Sequence, residues 1–438
     1  MTAISIDALV DGRWVDPETG QAVMLPFRSV VIERSLAGSE AERVRRLELG
    51  RFLAVVSDPA THEVLGRRVE RALGAVANVH QILLPDHPHA DAETVERIRS
   101  ATKGDDAIVA VGSGTINDLC KQASYLDGKP YAVFATAPSM NGYTSTSAAI
   151  TMHGHKKSLA AQGARGVFID LGVFAKAPAH MILSGLGDSL CRTTSQVDWK
   201  LSHRLRGTGY SETPFLLLRQ DEEALFAAAE GLTRGDLAAM ERLARVLILC
   251  GFGICLAGSS APGSQAEHMI SHYIDMMGGG HARAALGRDS LHGEQIGVAT
   301  LTVARLQARL LALETPPRLR RTAVNERAIR AHFGDSGADC AAEFRAKALD
   351  AHETERVNGL LAAGWPSLRD ELRATLLPPG HLDDVLARAG APRAPAELGW
   401  SDAFYRTAVT WARRIRNRYT CLDLIDDSVG LGAWLAEP

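Results

Sequence analysis

The chain has 438 residues, 46% hydrophobic and 23% charged, with a formal net charge of −3. That length exceeds one ordinary core and fits two or three domains, while the near-neutral charge gives no sign of the strongly basic balance typical of nucleic-acid binders. Six cysteines, at 120, 191, 250, 255, 340 and 421, show no CxxC spacing, which excludes a zinc ribbon or a disulfide framework and fits reduced thiols.

In chain order, residues 1–35 carry the turn pairs Asp11-Gly12 and Thr19-Gly20 between short apolar runs, which predicts one or two β-hairpins. Asp7 and Asp11 fall where an export signal needs a basic start and an apolar run, so a cytoplasmic location is expected. Strand-like apolar runs then recur at 52–56, 81–84, 107–111, 131–134 and 166–169, with helical segments at 62–76 and 91–101 between the first three. Near-continuous apolar strands alternating with helices predict a parallel sheet covered on both faces.

Beyond about residue 178 the alternation stops. Ala/Leu/Arg-rich segments of helical period fill the remainder, punctuated at Pro316-Pro317, Pro366, Pro378-Pro379 and Pro392. The expected architecture is an α/β domain over 1–180 followed by an all-helical domain over 181–438. The uncharged stretch 246–266 is broken by Gly251, Gly253, Gly258, Pro262 and Gly263, and reads as a buried helix and its exit rather than a membrane span. The arginine-rich stretches 43–51 and 318–330 read as solvated helix faces.

Candidate chemistry begins at Val111-Gly112-Ser113-Gly114-Thr115, where a strand ends in a glycine turn that opens a helix ending near Ser124. Glycines let backbone approach a pyrophosphate, whose charge sits on free amides at a helix N-terminus. The run is neither GxGxxG nor a Walker loop, so a simple tight turn stays an equal reading. Asp58, after the strand at 52–56, is either a ribose acceptor or a helix N-cap. The hydroxyl-rich segment 135–145, containing Thr136, Ser139, Asn141 and Ser145, follows a strand end, where open α/β sheets bind ligands.

Further on come Gly185-Leu-Gly-Asp188, Glu267-His268-Met-Ile-Ser-His272 and Leu291-His292-Gly-Glu294. One carboxylate with two imidazoles is a metal-ligand vocabulary that leaves a fourth position open to water or substrate. His268 and His272 share a helical face, but the Glu precedes the first His, so a HExxH metalloprotease is excluded. Asp188 has the alternative reading of a helix N-cap.

Taken together, the order GSGTxxD, ATAPSMxGY, GxGD followed by Asp198-Trp199, EHxxSH and HGEQxGV resembles the sn-glycerol-1-phosphate dehydrogenases of the iron-containing alcohol dehydrogenase and glycerol dehydrogenase superfamily. The resemblance implies a Rossmann-like N-terminal domain with an all-helical C-terminal domain of the dehydroquinate synthase type. It implies Asp188, His268 and His292 as ligands of one divalent metal, usually zinc, with nickel or iron in relatives. Gly112, Ser113, Gly114, Thr115 and Asp118 would hold the dinucleotide, NAD(H) or NADP(H), with Thr136, Ser139 and Ser145 along the cofactor and Asp58 at its ribose. His272 would face the nicotinamide and substrate without ligating, Asn141 would lie near the substrate hydroxyls, and Lys156 or Lys157 would neutralise a substrate phosphate. Two positions depart from the family pattern: Asn141 stands where the loop usually reads SMDGY, and Arg192 stands where a Lys is usual. The implied reaction is reversible reduction of dihydroxyacetone phosphate to sn-glycerol 1-phosphate by a homo-oligomer without nucleic-acid or membrane partners. Competing readings are a polyol or alcohol dehydrogenase on an unphosphorylated substrate, a dehydroquinate synthase-type cyclising enzyme, and a dinucleotide-sensing regulator.

Overall fold

A computed structural model describes residues 4–152, 155–278 and 280–436, the side chains of His155 and Lys156 excepted. The chain packs as two compact units: Met1–Ser189 with Glu212–Ser259, and Leu190–Ser211 with Ser260–Pro438.

The first unit is built on a six-stranded sheet. Its strands are β1 (Ser29–Glu33), β2 (Phe52–Ser57), β3 (Asn78–Leu83), β4 (Ala107–Gly112), β5 (Tyr131–Ala135) and β8 (Gly166–Asp170), in the order β1-β8-β5-β4-β2-β3, every pairing parallel. All five expected strands are present. β4, β5 and β8 are buried along their whole length, which is why their sequences are continuous apolar runs and not alternating ones. The expected helix at 62–76 runs as Pro59–Thr61, a π turn at His62–Gly66 and Arg67–Leu73.

The hairpin expectation for residues 1–35 is corrected. Ile6–Val10 is a helix, started by Ser5, whose hydroxyl accepts from Ala8 N. Only a single antiparallel bridge, Val15 to Ala22, survives of the hairpin, and residues 29–33 join β8 instead. That partner lies far along the chain, so local turn signals could not announce it. A second addition is the antiparallel pair β6 (Ser147–Met152) and β7 (His155–Ala160), directly after the hydroxyl-rich segment.

From β2 the chain winds outward to β3, then returns to place β4 on the other side of β2. The loops leaving β2 and β4 therefore diverge, and such a reversal point is where open α/β sheets take ligands. Helix Leu237–Ala257 completes the unit, ending at Gly258 in the left-handed conformation, as expected for a buried helix and its exit. Among the described residues no helix is long and apolar enough to cross a membrane.

The second unit is helical throughout its described residues. Helices Arg192–Arg206, Ala266–Met277, His292–Ala312 and Ala351–Arg373 contribute Val197, Met269, Tyr273, Val303 and Trp365 to one apolar core. Pro366, expected as a break, lies inside the last of these helices. It occupies the exposed side, where the backbone it leaves unbonded is open to solvent, while Trp365 and Leu368 hold the other side in the core. Among the described residues none of the six cysteines is in a disulfide.

Close approach shows most clearly at Gly185 of helix Ala179–Leu190. A Cβ there would lie 1.7 Å from the carbonyl oxygen of Pro138. Gly185→Ala should therefore lower stability by about 3 kcal/mol in urea unfolding. Gly359, exposed in a helix with open space around it, provides the control: Gly359→Ala should raise stability by about 0.5–1 kcal/mol.

Candidate active site

In the first unit, β4 ends at Gly112 and Ser113 takes the N-cap position of helix Gly114–Leu126 without a side-chain capping bond. The glycines act here through packing: a Cβ on Gly112 would sit 2.4 Å from Ile116, and one on Gly114 would sit 3.1 Å from Met140. The orphan amides at Gly114 and Thr115 and the positive end of the helix thus open beside β2, the geometry an anionic group uses. Asp58, at the end of β2, is the N-cap of Pro59–Thr61 with a full capping box, its Oδ1 accepting from Thr61 N and Oγ1, both at 2.8 Å.

Thr136 N donates to Gly112 O at 3.1 Å, so the segment after β5 leaves the sheet alongside the glycine turn. Its path is then set by Lys121, a residue that no motif announces. This fully buried ammonium donates to Gly142 O (2.6 Å), Ser147 O (3.0 Å) and Ser145 Oγ (3.1 Å), and pairs with Asp118 Oδ1 at 3.5 Å. Burial pushes the Lys121 pKa down and Asp118 opposes the shift. Asp118 in turn accepts from Ala149 N through Oδ2. Asp118 and Ser145, expected along the cofactor, are therefore parts of the scaffold that shapes residues 136–149. The signal available in sequence was a lysine three residues after an aspartate on a helix with no other charge.

Asp188 is not an N-cap. It lies in the last turn of helix Ala179–Leu190, buried, and its Oδ2 accepts from the backbone N of Asn141 at 2.9 Å. Ser184, one turn earlier, donates to Ser139 O. The helix and the 138–142 segment are thus stitched together at both ends of the contact that Gly185 permits, and Asn141 acts here through its backbone.

In the second unit, helix Ala266–Met277 carries His268 and His272, and His292 opens helix His292–Ala312. The ring centroids of His268 and His292 are 5.1 Å apart, and His272 lies 6.3 and 6.0 Å from them. Neighbouring groups fix the tautomers. Glu267, fully buried, faces His268 Nδ1 at 3.1 Å, so that nitrogen carries the proton. Ser271 donates to Gln295 Oε1 at 2.7 Å and must accept from His292 Nδ1, 3.3 Å away. Both rings accordingly present Nε2 as the basic nitrogen. His272 is the opposite case: Arg416 Nη2 lies 3.1 Å from its Nε2, and a guanidinium only donates, so His272 holds its proton on Nδ1.

Glu267 also accepts from Thr194 Oγ1, Ser195 Oγ and Gln265 N. Burial acts to raise its pKa, but these bonds and His268 outweigh it and hold the carboxyl below its ordinary range. Asp198, buried nearby, is pushed up to about 7 by burial and by Glu267, and accepts from Cys421 N at 2.8 Å. Arg192 Nη1 bonds Gln196 Oε1. Lys157 is exposed on β7, and the side chains of His155 and Lys156 lie outside the described residues, as does Gly154.

Residues 31–178 match the family described as iron-containing alcohol dehydrogenase. The chain is 33% identical over 279 residues to a glycerol-1-phosphate dehydrogenase [NAD(P)+] of Pyrococcus furiosus, covering 64% of this chain and 78% of the relative. A Bacillus velezensis protein of the same name is 28% identical over 422 residues, 92% of this chain and 93% of its own length, so the likeness extends into the C-terminal region that the motifs left unassigned. Among solved structures, a probable glycerol dehydrogenase from Sinorhizobium meliloti superposes with a TM-score of 0.59 at 18% identity, covering 94% of this chain and 98% of that one. An archaeal Red Sea brine pool alcohol dehydrogenase does so with a TM-score of 0.60 at 13% identity, over 94% and 97%. The last two establish the fold, and the sequence relatives establish more: the chain belongs to the glycerol-1-phosphate dehydrogenase family of the iron-containing alcohol dehydrogenases.

Proposed function

We propose that the chain reduces dihydroxyacetone phosphate to sn-glycerol 1-phosphate, reversibly, with Asp188, His268 and His292 holding the divalent metal. Membership of the family makes it an NAD(P)-dependent, metal-containing oxidoreductase. The observation that carries the ligand assignment is the pair of histidines whose Nδ1 atoms are engaged by Glu267 and Ser271, which turns two Nε2 lone pairs to the same task. Imidazoles held through Nδ1 by a neighbouring oxygen, so that Nε2 is left basic, are what metal sites use. Chain continuity adds Asp188, since Cys191, three residues later, brings its thiol within 4.8 Å of ligand-type atoms of Glu267 and His268. A donor set of two imidazoles and one carboxylate suits zinc, with nickel or iron as alternatives.

When bound, the metal supplies Lewis acidity toward the ketone oxygen and the reduced nicotinamide supplies hydride. The protein's own contributions are positional. Gly112, Ser113, Gly114 and Thr115 offer backbone amides to the cofactor pyrophosphate, and Asp58 offers a carboxylate oxygen to a ribose hydroxyl, which favours NAD(H) over its 2′-phosphorylated form. Thr136 and Ser139 border the cofactor, and Lys121 with Asp118 and Ser145 holds that border in shape. His272 offers its Nδ1–H as a hydrogen-bond donor to the product oxygen, and the Asn141 amide serves the substrate hydroxyl. Lys156 remains a phosphate partner on the strength of the motif alone. A cytoplasmic location and a homo-oligomer are proposed from the family.

The purified protein with NADH or NADPH, tested against phosphorylated and free ketones, checks this reading. Dihydroxyacetone phosphate should exceed dihydroxyacetone in kcat/KM by at least ~10²-fold, because charge-assisted bonds to a phosphate contribute about 1.5–3 kcal/mol each. Equal rates on both ketones would mark a polyol dehydrogenase. Asp188→Asn, His268→Ala and His292→Ala should each lose bound metal by elemental analysis, and Glu267→Gln should weaken metal affinity about 10–100-fold. Wild-type metal content in the three ligand variants would refute the assignment. Lys121→Met keeps the stem but removes the charge, and should cost about 3 kcal/mol in urea unfolding together with a raised KM for NADH. An unchanged KM would limit Lys121 to a stabilising role.

A further inference from the structure

The segment 413–418 carries four arginines, and their surroundings divide them. Arg413 is ion-paired with Asp423, Asp426 and Asp427, and Arg414 lies over the rings of Phe344 and Trp411 and 3.9 Å from Asp426. Arg416 and Arg418 point their bonds elsewhere. Arg416 donates to Ser264 Oγ at 3.0 Å and to His272 Nε2 at 3.1 Å, while Arg418 donates to Ser264 O and to Ser260 Oγ at 2.8 Å. Both are partly buried, and neither forms an ion pair among the described residues. Each guanidinium has five N–H donors, of which two are used.

The carboxylates that act on them from a distance are committed already. Glu267 receives Thr194, Ser195, Gln265 N and His268, and Glu343 receives Asn417 N. Two cations have thus been brought together without a counter-charge, in a place where neutral side chains would make the same four bonds with no mutual repulsion. Burial and then Arg416 push Arg418 down to about 9, and Glu267 opposes them only in part. The position is informative. Arg416 touches His272, whose ring stands 6.3 Å from His268 and 6.0 Å from His292.

We propose that Arg416 and Arg418 form the subsite for the substrate's phosphate, a phosphomonoester dianion gripped by two guanidiniums next to the metal-ligating histidines. The proposal rests on the function proposed above and supplies the cations that it requires. In dihydroxyacetone phosphate only a methylene and an ester oxygen separate the carbonyl carbon from phosphorus, so a carbonyl at His268 and His292 brings the phosphate into the range of Arg416. Planar forks that donate in parallel match phosphate oxygens, and a lysine point charge does not reproduce them. The cofactor is the other source of phosphate, and its pyrophosphate and 2′-phosphate are distinguished by the arms of the test.

Arg416→Lys and Arg418→Gln are assayed with dihydroxyacetone phosphate and dihydroxyacetone, with NADH and with NADPH. The ratio of the two ketones' kcat/KM should fall at least ~10-fold in each variant, a readout insensitive to His272 because its proton chemistry is common to both substrates. Inorganic phosphate should inhibit dihydroxyacetone reduction competitively in the wild type, with a Ki raised at least ~10-fold in Arg418→Gln. An unchanged ratio, or a change confined to the KM for NADPH, overturns the proposal. Should the variants not fold, wild-type protein treated with phenylglyoxal and mapped by peptide mass serves instead. Inorganic phosphate is expected to protect Arg416 and Arg418, and equal labelling with and without it overturns the subsite. If the wild type reduces neither ketone, the proposed function fails, and the phosphate-protection result still decides the subsite by itself.

Discussion

A buried carboxylate governs the chemistry of the helical unit. Glu267 sits without solvent and is kept ionised by a hydroxyl from Thr194, another from Ser195, the backbone of Gln265 and the ring of His268. An ion in that position is costly unless each lone pair is used. The same bonds that make it tolerable also fasten helix Arg192–Arg206 to the start of helix Ala266–Met277 and choose the tautomer of His268, the proposed metal ligand. Structure and reactivity are therefore not separable at this residue: the helix pair is held by the group that orients the ligand.

The α/β unit solves a similar problem with the opposite sign. Lys121 is a buried ammonium surrounded by the carbonyls of Gly142 and Ser147, the hydroxyl of Ser145 and the carboxylate of Asp118. A loop that must pass close to a helix, with no room at Gly185 for even a methyl group, cannot also saturate its own backbone. One flexible three-donor side chain does it from the side.

Sequence pattern reached the strands whose side chains are buried on both faces, because there burial alone dictates composition. It reached the family as well, since the ordered motifs that carry Asp188, His268 and His292 are short and stand at recognisable spacings. It missed β1, whose partner is remote, and the β6–β7 pair, whose short strands alternate weakly. Asp58 was legible only as a choice between cap and ligand, and the capping box accounts for one of its oxygens without removing the other use. Lys121 and Arg416 escaped for a shared reason. A single basic residue on a helix, or an arginine run such as 413–418, is nearly always solvated, and only the three-dimensional neighbourhood separates the exceptions.

The pairing of β1 with β8 has a temporal side. Leu36 N bonds the carboxylate of Asp170 across 134 positions of chain, and every residue of β1 finds its register on 166–170. During synthesis the first strand to leave the ribosome is therefore the last to be seated. Until the β8 residues follow it, Val30 and Ile32 have no sheet to join, and the edge of β5 stands open to any extended chain nearby. A long wait for a nonlocal partner slows folding and lengthens exposure to misassembly. Nascent chains stalled before residue 166 are where aggregation and chaperone engagement of this protein would concentrate.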